Sequence, residues 1–324
     1  MVMFYYRTII IIIFINFLSA NLPYAYRLPN TVGINEREFK PGWPDPSIID
    51  LRDGYEGRIF SGTGGGPGMI DYLNYNLSAP TSDFLYQIID PIFNTEVEGK
   101  YYSNPTLKTF ITNDGGNIIV FSSVTEFIDG DDVLPQGAGI FWSLDNGETW
   151  SFIDQPTDNE DGNMTANWYG TSFEHLSITT GVNNVSYDLS VDVNGEYIYS
   201  SSWAGMLRRF DYTAEDPTWE LVPLPMDGQD NLSCELSCSN NNANCSNEPY
   251  YYSPIDPPFG HYNHKPFSVH VEEDYIWVGT ADGINRGSIQ NNGCIDWEHY
   301  TMIDGLGGNW VIGIYPQYFS DFTR

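Results

Sequence analysis

The chain has 324 residues, with 43 acidic against 13 basic side chains and a formal net charge of −30. Binding of nucleic acid requires a basic surface, so a nucleic-acid partner is excluded, and an anionic membrane surface is disfavoured for the same reason. We interpret the acidity mainly as a contribution to solubility. Aromatic residues form 15% of the chain, and 31 Gly and 20 Pro are spread along it, which is typical of turn-rich β structure.

The N-terminal segment has the pattern of a secretory signal peptide. Arg7 precedes an apolar run at residues 9–15, the small residues Ser19 and Ala20 follow, and cleavage is expected after Ala20 or Ala25. The run is shorter than the roughly 20 residues of a membrane-spanning helix, which makes a membrane anchor the weaker alternative. We therefore expect residues 1–25 to be a signal peptide. Residues 26–324 would form a protein that is secreted, periplasmic or on the cell surface, without membrane insertion.

Four cysteines lie in the part of the chain that we expect to be exported. An even number in such a chain favours two disulfides, and the sequence leaves all three pairings open. A zinc site is the weaker alternative, because the spacing lacks a second Cys-x-x-Cys pair. The four residues are Cys234, Cys238, Cys245 and Cys294.

Two segments of the chain repeat each other. Residues 189–193 (LSVDV) resemble residues 267–271 (FSVHV), and the offset of 78 positions persists over about 30 residues. Weaker copies begin near residues 57 and 114. Each unit predicts four short antiparallel strands separated by Gly, Asn or Asp turns, which is the pattern of a propeller blade. The pairs that share the offset include Gly205 and Gly283, Arg208 and Arg286, and Trp219 and Trp297.

The repeat predicts an all-β fold, a β-propeller of four-stranded antiparallel blades with long loops on one face. We expect blade units near residues 45–72, 106–153, 187–225 and 266–301, and another first strand at 309–315. That last strand either begins a blade of an incomplete ring, as in a fragment, or completes a blade begun at the N-terminus. A parallel β-helix is less favoured because its repeats are much shorter.

Residues 143–150 read SLDNGETW and match the pattern S-x-D-x-G-x-T-W. The motif resembles the Asp-box of bacterial neuraminidase repeats and sortilin-like propellers, where it is structural and lies between the third and fourth strands of a blade. We expect Asp145 to accept N–H bonds across the turn, and Trp150 to pack into the sheet. The Asp-box residues are Ser143, Asp145, Gly147, Thr149 and Trp150, and Gly147 would supply a positive φ.

A second resemblance covers more of the chain. Residues 274–286 (DYIWVGTADGINR), followed by DGL at 304–306, are similar to the two-component-regulator propeller repeat. The similarity is good over residues 267–315 and moderate over 187–225. It implies a propeller of the kind found in periplasmic sensor regions and in secreted bacterial proteins.

The predicted strands place long insertions at 73–105, 154–186 and 226–265 between blades, and at 124–138 between a second and a third strand. In a propeller both connection types emerge on one face, so we expect this loop-rich face to bind ligands. Its aromatic residues would stack on a sugar or pack on a peptide, unless they pack within the loops. The candidates are Trp168, Tyr169, Trp203, Tyr250, Tyr251 and Tyr252.

No catalytic residues are predicted. Arg27 lies in a YRLP segment similar to the carboxylate-binding arginine motif of sialidases, but the remaining arginines do not complete a triad. Motifs of serine hydrolases, zinc proteases and P-loop enzymes are missing from the sequence. The glycine run at residues 62–68 is interpreted as a hairpin turn and not as a phosphate-binding loop.

Metal binding is a minor alternative. Two acidic runs carry the oxygen ligands that Ca²⁺ prefers, but neither has the spacing of an EF-hand, so solvated loops are the favoured interpretation. We expect no cofactor other than a possible Ca²⁺ ion and no metal at the histidines. The acidic runs are Asp129, Asp131 and Asp132, and Asp158, Glu160 and Asp161; the histidines are His261, His264 and His270.

These observations predict an exported, non-catalytic β-propeller that binds a protein or a glycan through its loop-rich face. One alternative is an extracellular carbohydrate-active enzyme, a glycosidase or sialidase-like protein, on the same fold. The other is a structural module of a larger cell-surface protein.

Overall fold

The folded part of the chain consists of β-strands joined by turns and a few short 3-10 helices. The computed structural model describes residues 48–53, 58–63, 66–71, 76–78, 107–111, 117–130, 132–145, 149–238 and 249–316. These residues contain twenty strands and no α-helix. Among them, no helix has the length and apolarity that a membrane crossing requires.

Most strands belong to four antiparallel sheets in which strands consecutive in sequence are neighbours. We call these sheets blades 1 to 4. Blade 1 contains β1 (Ile48–Asp53), β2 (Arg58–Thr63), β3 (Gly66–Asp71) and β4 (Asn76–Ser78); blade 2 contains β5 (Leu107–Ile111), β6 (Asn117–Asp129), β7 (Asp132–Ser143) and β8 (Ser151–Asp154). After β9 (Asn163–Trp168) and β10 (Thr171–Leu176), blade 3 contains β11 (Asp188–Asp192), β12 (Tyr197–Ser202), β13 (Met206–Asp211) and β14 (Glu220–Leu221). After β15 (Asn231–Leu232) and β16 (Tyr251–Tyr252), blade 4 contains β17 (Pro266–Glu272), β18 (Tyr275–Thr280), β19 (Gly283–Ile289) and β20 (Ile295–Tyr300).

The first strands of the blades lie side by side, in the order β1, β5, β11, β17. Between β11 and β17 side chains replace backbone pairing: Val269 N–H donates to Asp188 at 3.0 Å, and Val271 N–H donates to Ser190 Oγ at 2.9 Å. The two strands therefore run in the same direction. This arrangement confirms the prediction of an all-β protein with four-stranded antiparallel propeller blades. Closure into a ring is not detected in the described part of the chain.

Residues 309–315, expected to form a further first strand, do not form a strand in the structure. Val311 N–H donates to the carbonyl oxygen of Thr280 at 3.0 Å, at the hairpin between β18 and β19. This bond holds the segment beside blade 4 together with the bond from Asn309 Nδ2 to Asp282 Oδ1 at 3.0 Å and the packing of Trp310 on Phe267. No strand among the described residues forms a ladder with the segment. Apolar alternation in this segment was therefore not sufficient to make a strand.

Apolar side chains fill the spaces between neighbouring blades. One cluster joins Ile140 and Trp142 of blade 2 to Leu189 and Phe210 of blade 3. A larger cluster joins blade 3 to blade 4 and includes side chains from the inserted strands β9, β10 and β16. The insertions thus contribute to the hydrophobic core between two blades.

The predicted long loops contain β-strands. Residues 124–138 extend the antiparallel pair β6 and β7, so they form a long hairpin. Strands β9 and β10 form a second hairpin, and β16 pairs in parallel with β10 to complete a three-stranded sheet. Strand β15 adds a fifth strand to blade 4 beside β20. The sequence predicted these segments as long loops. Strands β15 and β16 were missed because their partner strands are distant in sequence.

A disulfide fastens the insertion at 226–265 to blade 4. Cys234 and Cys294 are bonded, with 5.8 Å between their Cα atoms, and Cys294 is fully buried in the turn between β19 and β20. The prediction of disulfides is confirmed for this pair. Cys238 is also disulfide-bonded, whereas Cys245 lies outside the described residues.

Candidate ligand-binding face

The hairpin of β9 and β10 places two of the candidate ligand-binding aromatics around a buried arginine. Arg209 is 1% exposed, and its guanidinium carbon lies 4.7 Å from the ring centroid of Trp168 and 4.1 Å from that of Tyr197. Its nitrogens donate to the Tyr169 hydroxyl at 2.9 Å and to the Gly293 carbonyl at 2.6 Å. Trp168 is 3% exposed, so its ring is used by Arg209 within the core and not by a ligand.

The three consecutive tyrosines at 250–252 also bind the protein itself. The Tyr250 hydroxyl donates to the Leu224 carbonyl at 2.8 Å, and the Tyr251 hydroxyl donates to Asn163 Oδ1 at 2.9 Å. Tyr252 is fully buried, and its hydroxyl accepts the Leu207 N–H at 3.1 Å. Burial raises the pKa of both Tyr250 and Tyr252. These contacts anchor the insertion in the folded protein.

The histidines of the same insertion are structural as well. His264 is fully buried, packs edge-on to Tyr252 with 4.5 Å between ring centroids, and lies 3.1 Å from the Leu224 carbonyl oxygen. Burial lowers the pKa of His264 well below its usual value, and the neighbouring His261 lowers it further. The neutral form is therefore favoured in the folded protein.

The acidic residues considered for Ca²⁺ do not converge in the described part of the chain. Asp158 accepts the Ile178 N–H at 2.6 Å and lies 3.5 Å from the buried Arg208. No group of three or more potential metal ligands is found among the described residues, and Asp131 lies outside them. The carboxylate of Asp158 thus neutralises an arginine in the folded protein.

The turn between β7 and β8 has the hydrogen bonds expected at its aspartate. Asp145 accepts the Thr149 N–H at 2.8 Å, the Thr149 hydroxyl at 2.6 Å and the Ser143 hydroxyl at 2.8 Å. Trp150 is buried and packs edge-on to Phe121, with 5.1 Å between ring centroids. Gly147 lies outside the described residues. These contacts are internal to blade 2.

Trp203 is the sequence-predicted aromatic that remains at the surface without a hydrogen-bonding role. It lies in the hairpin between β12 and β13 and is 45% exposed. The Lys265 Nζ atom lies 5.5 Å from the Trp203 ring centroid and 5.1 Å from that of Tyr262. Lys265 itself is buried and forms an ion pair with the exposed Asp256. The lysine thus links the two rings through cation–π contacts.

A second group of rings lies at the same end of blades 3 and 4. Tyr187 packs edge-on to Phe267 with 6.2 Å between centroids, and Phe267 lies 5.6 Å from Trp310, which is 66% exposed. Tyr187 precedes β11, and its N–H donates to the carbonyl oxygen of Ser201, two residues before Trp203. Because β11 and β17 run in the same direction, the segments that precede them lie at the same end of blades 3 and 4.

We call this surface the aromatic face and define it by Tyr187, Trp203, Tyr262, Phe267 and Trp310, with the Lys265–Asp256 ion pair. Only Trp203 was among the predicted ligand-binding residues. Tyr187, Tyr262 and Trp310 were missed because single aromatics outside strands carry no pattern. Phe267 was counted only as part of the alternating strand β17.

Comparisons with known proteins support no family. No family model matches the chain, and no curated protein matches it. Among solved structures, it is similar to an ancestral GH74 enzyme, with 10% identity over 85% of this chain and 45% of that chain and a TM-score of 0.27. The present chain therefore spans less than half the length of that enzyme.

Two further structures show similarity of the same order. A chain in a nidogen/laminin complex has 8% identity, with 78% of this chain and 80% of that chain covered and a TM-score of 0.25. YCF48 from Cyanidioschyzon merolae has 12% identity, with coverage of 62% and 86% and a TM-score of 0.17. Such values carry no argument about activity. The blades themselves define the chain as an all-β protein of the β-propeller type.

Proposed function

We propose that the protein is an exported, non-catalytic β-propeller that binds a protein or a glycan through the aromatic face. The supporting observation is the clustering of partly exposed rings at one end of blades 3 and 4, linked through Lys265 and Phe267. Scattered exposed aromatics are ordinary, but a contiguous group marks an interaction surface. Tryptophan and tyrosine provide large, rigid contact areas for protein partners, and their faces also suit the C–H groups of sugar rings.

The charges on and around this face restrict the ligand. Lys265 and Asp256 neutralise each other, so the face itself offers rings more than charge. The net charge of −30 repels polyanions at long range. We therefore expect a neutral glycan, or a protein with a neutral or basic contact surface. The disulfide is compatible with export to an oxidising compartment.

The same ion pair supports binding over catalysis. A glycosidase uses two carboxyl groups on either side of the scissile bond. The carboxylate of Asp256 is paired with Lys265. The carboxylate of Asp227, beside Tyr262, accepts the N–H groups of Tyr262 and Asn263. A carbohydrate-active enzyme is the competing proposal, and measured turnover separates the two.

The test measures binding and turnover on one panel: neutral plant and algal polysaccharides, sialosides, and extracellular proteins. For the ligand found, Trp203→Ala should weaken binding by about 2 kcal/mol, or roughly 30-fold in Kd, the size of an interface hot spot. Tyr275→Ala is the matched control, because Tyr275 is a partly exposed aromatic on β18 at the opposite end of blade 4.

An equal loss in both variants would contradict a site at the aromatic face. Turnover that disappears when a pair of acidic residues is replaced would establish an enzyme instead. Unchanged stability of both variants, measured by thermal unfolding, is required for the comparison.

A further inference from the structure

The sequence contains five Asn-x-Ser/Thr triplets, the acceptor pattern for N-linked glycosylation in exported proteins. Such a triplet is used only where the asparagine amide is accessible, so the structure can discriminate among them. The side chain of Asn76, and all of Asn244, lie outside the described residues. The described acceptors are Asn163, Asn184 and Asn231.

Asn163 has the geometry of an open acceptor. It begins β9, a strand whose residues alternate between exposed and partly buried, so that Asn163 and Thr165 are both exposed on one side. Its Oδ1 accepts the Tyr251 hydroxyl at 2.9 Å. Its Nδ2, the atom that would carry a sugar, makes no hydrogen bond to a described residue. The amide is therefore oriented through its oxygen while its nitrogen remains accessible.

Asn184 has the opposite environment. It is 1% exposed, its Nδ2 donates to the Pro156 carbonyl oxygen, and its backbone carbonyl accepts the side chain of Gln155. Even a methyl group on Gly205 would lie 1.6 Å from Asn184 Oδ1. A glycan on Asn184 is incompatible with this fold, and the partly buried Asn231 on β15 is less open than Asn163.

We propose that Asn163 carries an N-linked oligosaccharide. Nδ2 would displace the lipid pyrophosphate from a lipid-linked oligosaccharide donor. A bond forms between Nδ2 and the anomeric carbon, the bond from that carbon to the pyrophosphate oxygen breaks, and the amide loses one proton. The transferase of the secretory compartment catalyses this step, so the inference depends on export but not on the ligand-binding function.

A glycan at this position also has a structural consequence. β9 is the terminal strand of the sheet β16-β10-β9, and its outer edge has no partner strand among the described residues. Exposed strand edges promote pairing between molecules. An oligosaccharide on the first residue of β9 would obstruct such pairing.

The test expresses the full chain behind a eukaryotic secretory signal, with an N-terminal tag that contains its own acceptor triplet. Glycosylation of the tag proves that the chain entered the compartment. Peptide mass mapping, with and without endoglycosidase, then identifies the modified asparagines. Thr165→Ala removes the acceptor triplet without changing Asn163, and Thr165→Ser retains it, so the two variants are a matched pair.

We expect a glycan on Asn163 in the wild-type protein and in Thr165→Ser, its loss in Thr165→Ala, and no glycan on Asn184 in any of them. An unmodified Asn163 peptide in protein whose tag is glycosylated would overturn the proposal. If the glycan obstructs pairing at the edge of β9, Thr165→Ala should aggregate faster than Thr165→Ser, as measured by light scattering. Equal aggregation rates would refute this role of the glycan.

Discussion

Arg209 in blade 3 and Arg286 in blade 4 occupy the same position in two consecutive blades. Arg209 lies opposite Tyr199 on one neighbouring strand and Glu220 on the other. Arg286 lies opposite Trp277 and Glu298 in the same way. Each blade thus contains an aromatic ring, an arginine and a glutamate in a row across three strands.

The sequence offset of 78 had paired Arg208, not Arg209, with Arg286. That assignment is wrong by one residue, because the hairpin between β12 and β13 is one residue longer than its counterpart in blade 4. The last paired residues before its turn are Ser202 and Met206, whereas those of the blade 4 hairpin are Thr280 and Gly283. Met206 and Gly283 both have positive φ at these equivalent positions.

The two arginines differ in what covers them. The hairpin of β9 and β10 and the turn containing Gly293 enclose Arg209. The side chain of Arg286 is 29% exposed and contacts its own blade, with its guanidinium 4.1 Å from the Tyr275 ring centroid and 3.1 Å from Glu298. The repeat therefore determines the row of ring, arginine and glutamate within each blade. Whether the arginine of that row is buried depends on the inserted hairpin that covers it.

The largest effect is expected for Arg209→Met, which should lower the free energy of unfolding by about 4 kcal/mol. Removal of one partner from a buried charged network leaves the others unpaired, here the Tyr199 hydroxyl and the Gly293 carbonyl. Chemical denaturation followed by tryptophan fluorescence measures the change. A loss under 1 kcal/mol would mean that the enclosure contributes little.

A second, smaller effect is a dependence of stability on pH that arises from two buried histidines of the insertions. Burial lowers the pKa of His175, on β10, and of His264 below the usual value of about 6.5. In the window below about 6.5 the unfolded chain therefore binds more protons than the folded one, so stability falls as pH falls through this range. Stability from these histidines is fully present above that window.

Urea unfolding at a series of pH values between neutral and mildly acidic tests this expectation. Phe replaces the His264 ring without a titratable group, so His264→Phe should reduce the slope of unfolding free energy against pH. His261→Phe should reduce the slope less, because it removes only the smaller effect of His261 on the pKa of His264. A slope that is unchanged in His264→Phe would show that His264 titrates normally in the folded protein.

Sequence patterns predicted the blades because each blade is a local structure. Alternation in FSVHV and the 78-residue offset both arise from strands that pair with their neighbours in sequence. The insertions could not be predicted in this way, since β10 pairs with β16 across more than 70 residues of chain. Trp168 and Tyr252 remained candidates for ligand binding, because nothing near them in sequence identifies Arg209 or Leu207 as a partner.

The smallest effect is expected for Arg286→Met, the counterpart of Arg209→Met in the uncovered blade. Its loss should be below about 1 kcal/mol at moderate salt, because Arg286 and Glu298 are partly exposed and solvent screens their interaction. The loss should shrink further as salt is added, since screening increases with ionic strength. Glu298 retains the Tyr300 hydroxyl at 2.7 Å, so no charge is left without a partner. If Arg286→Met proved as costly as Arg209→Met, the row of ring, arginine and glutamate would itself stabilise each blade. The covering hairpin would then add protection from solvent but little stability.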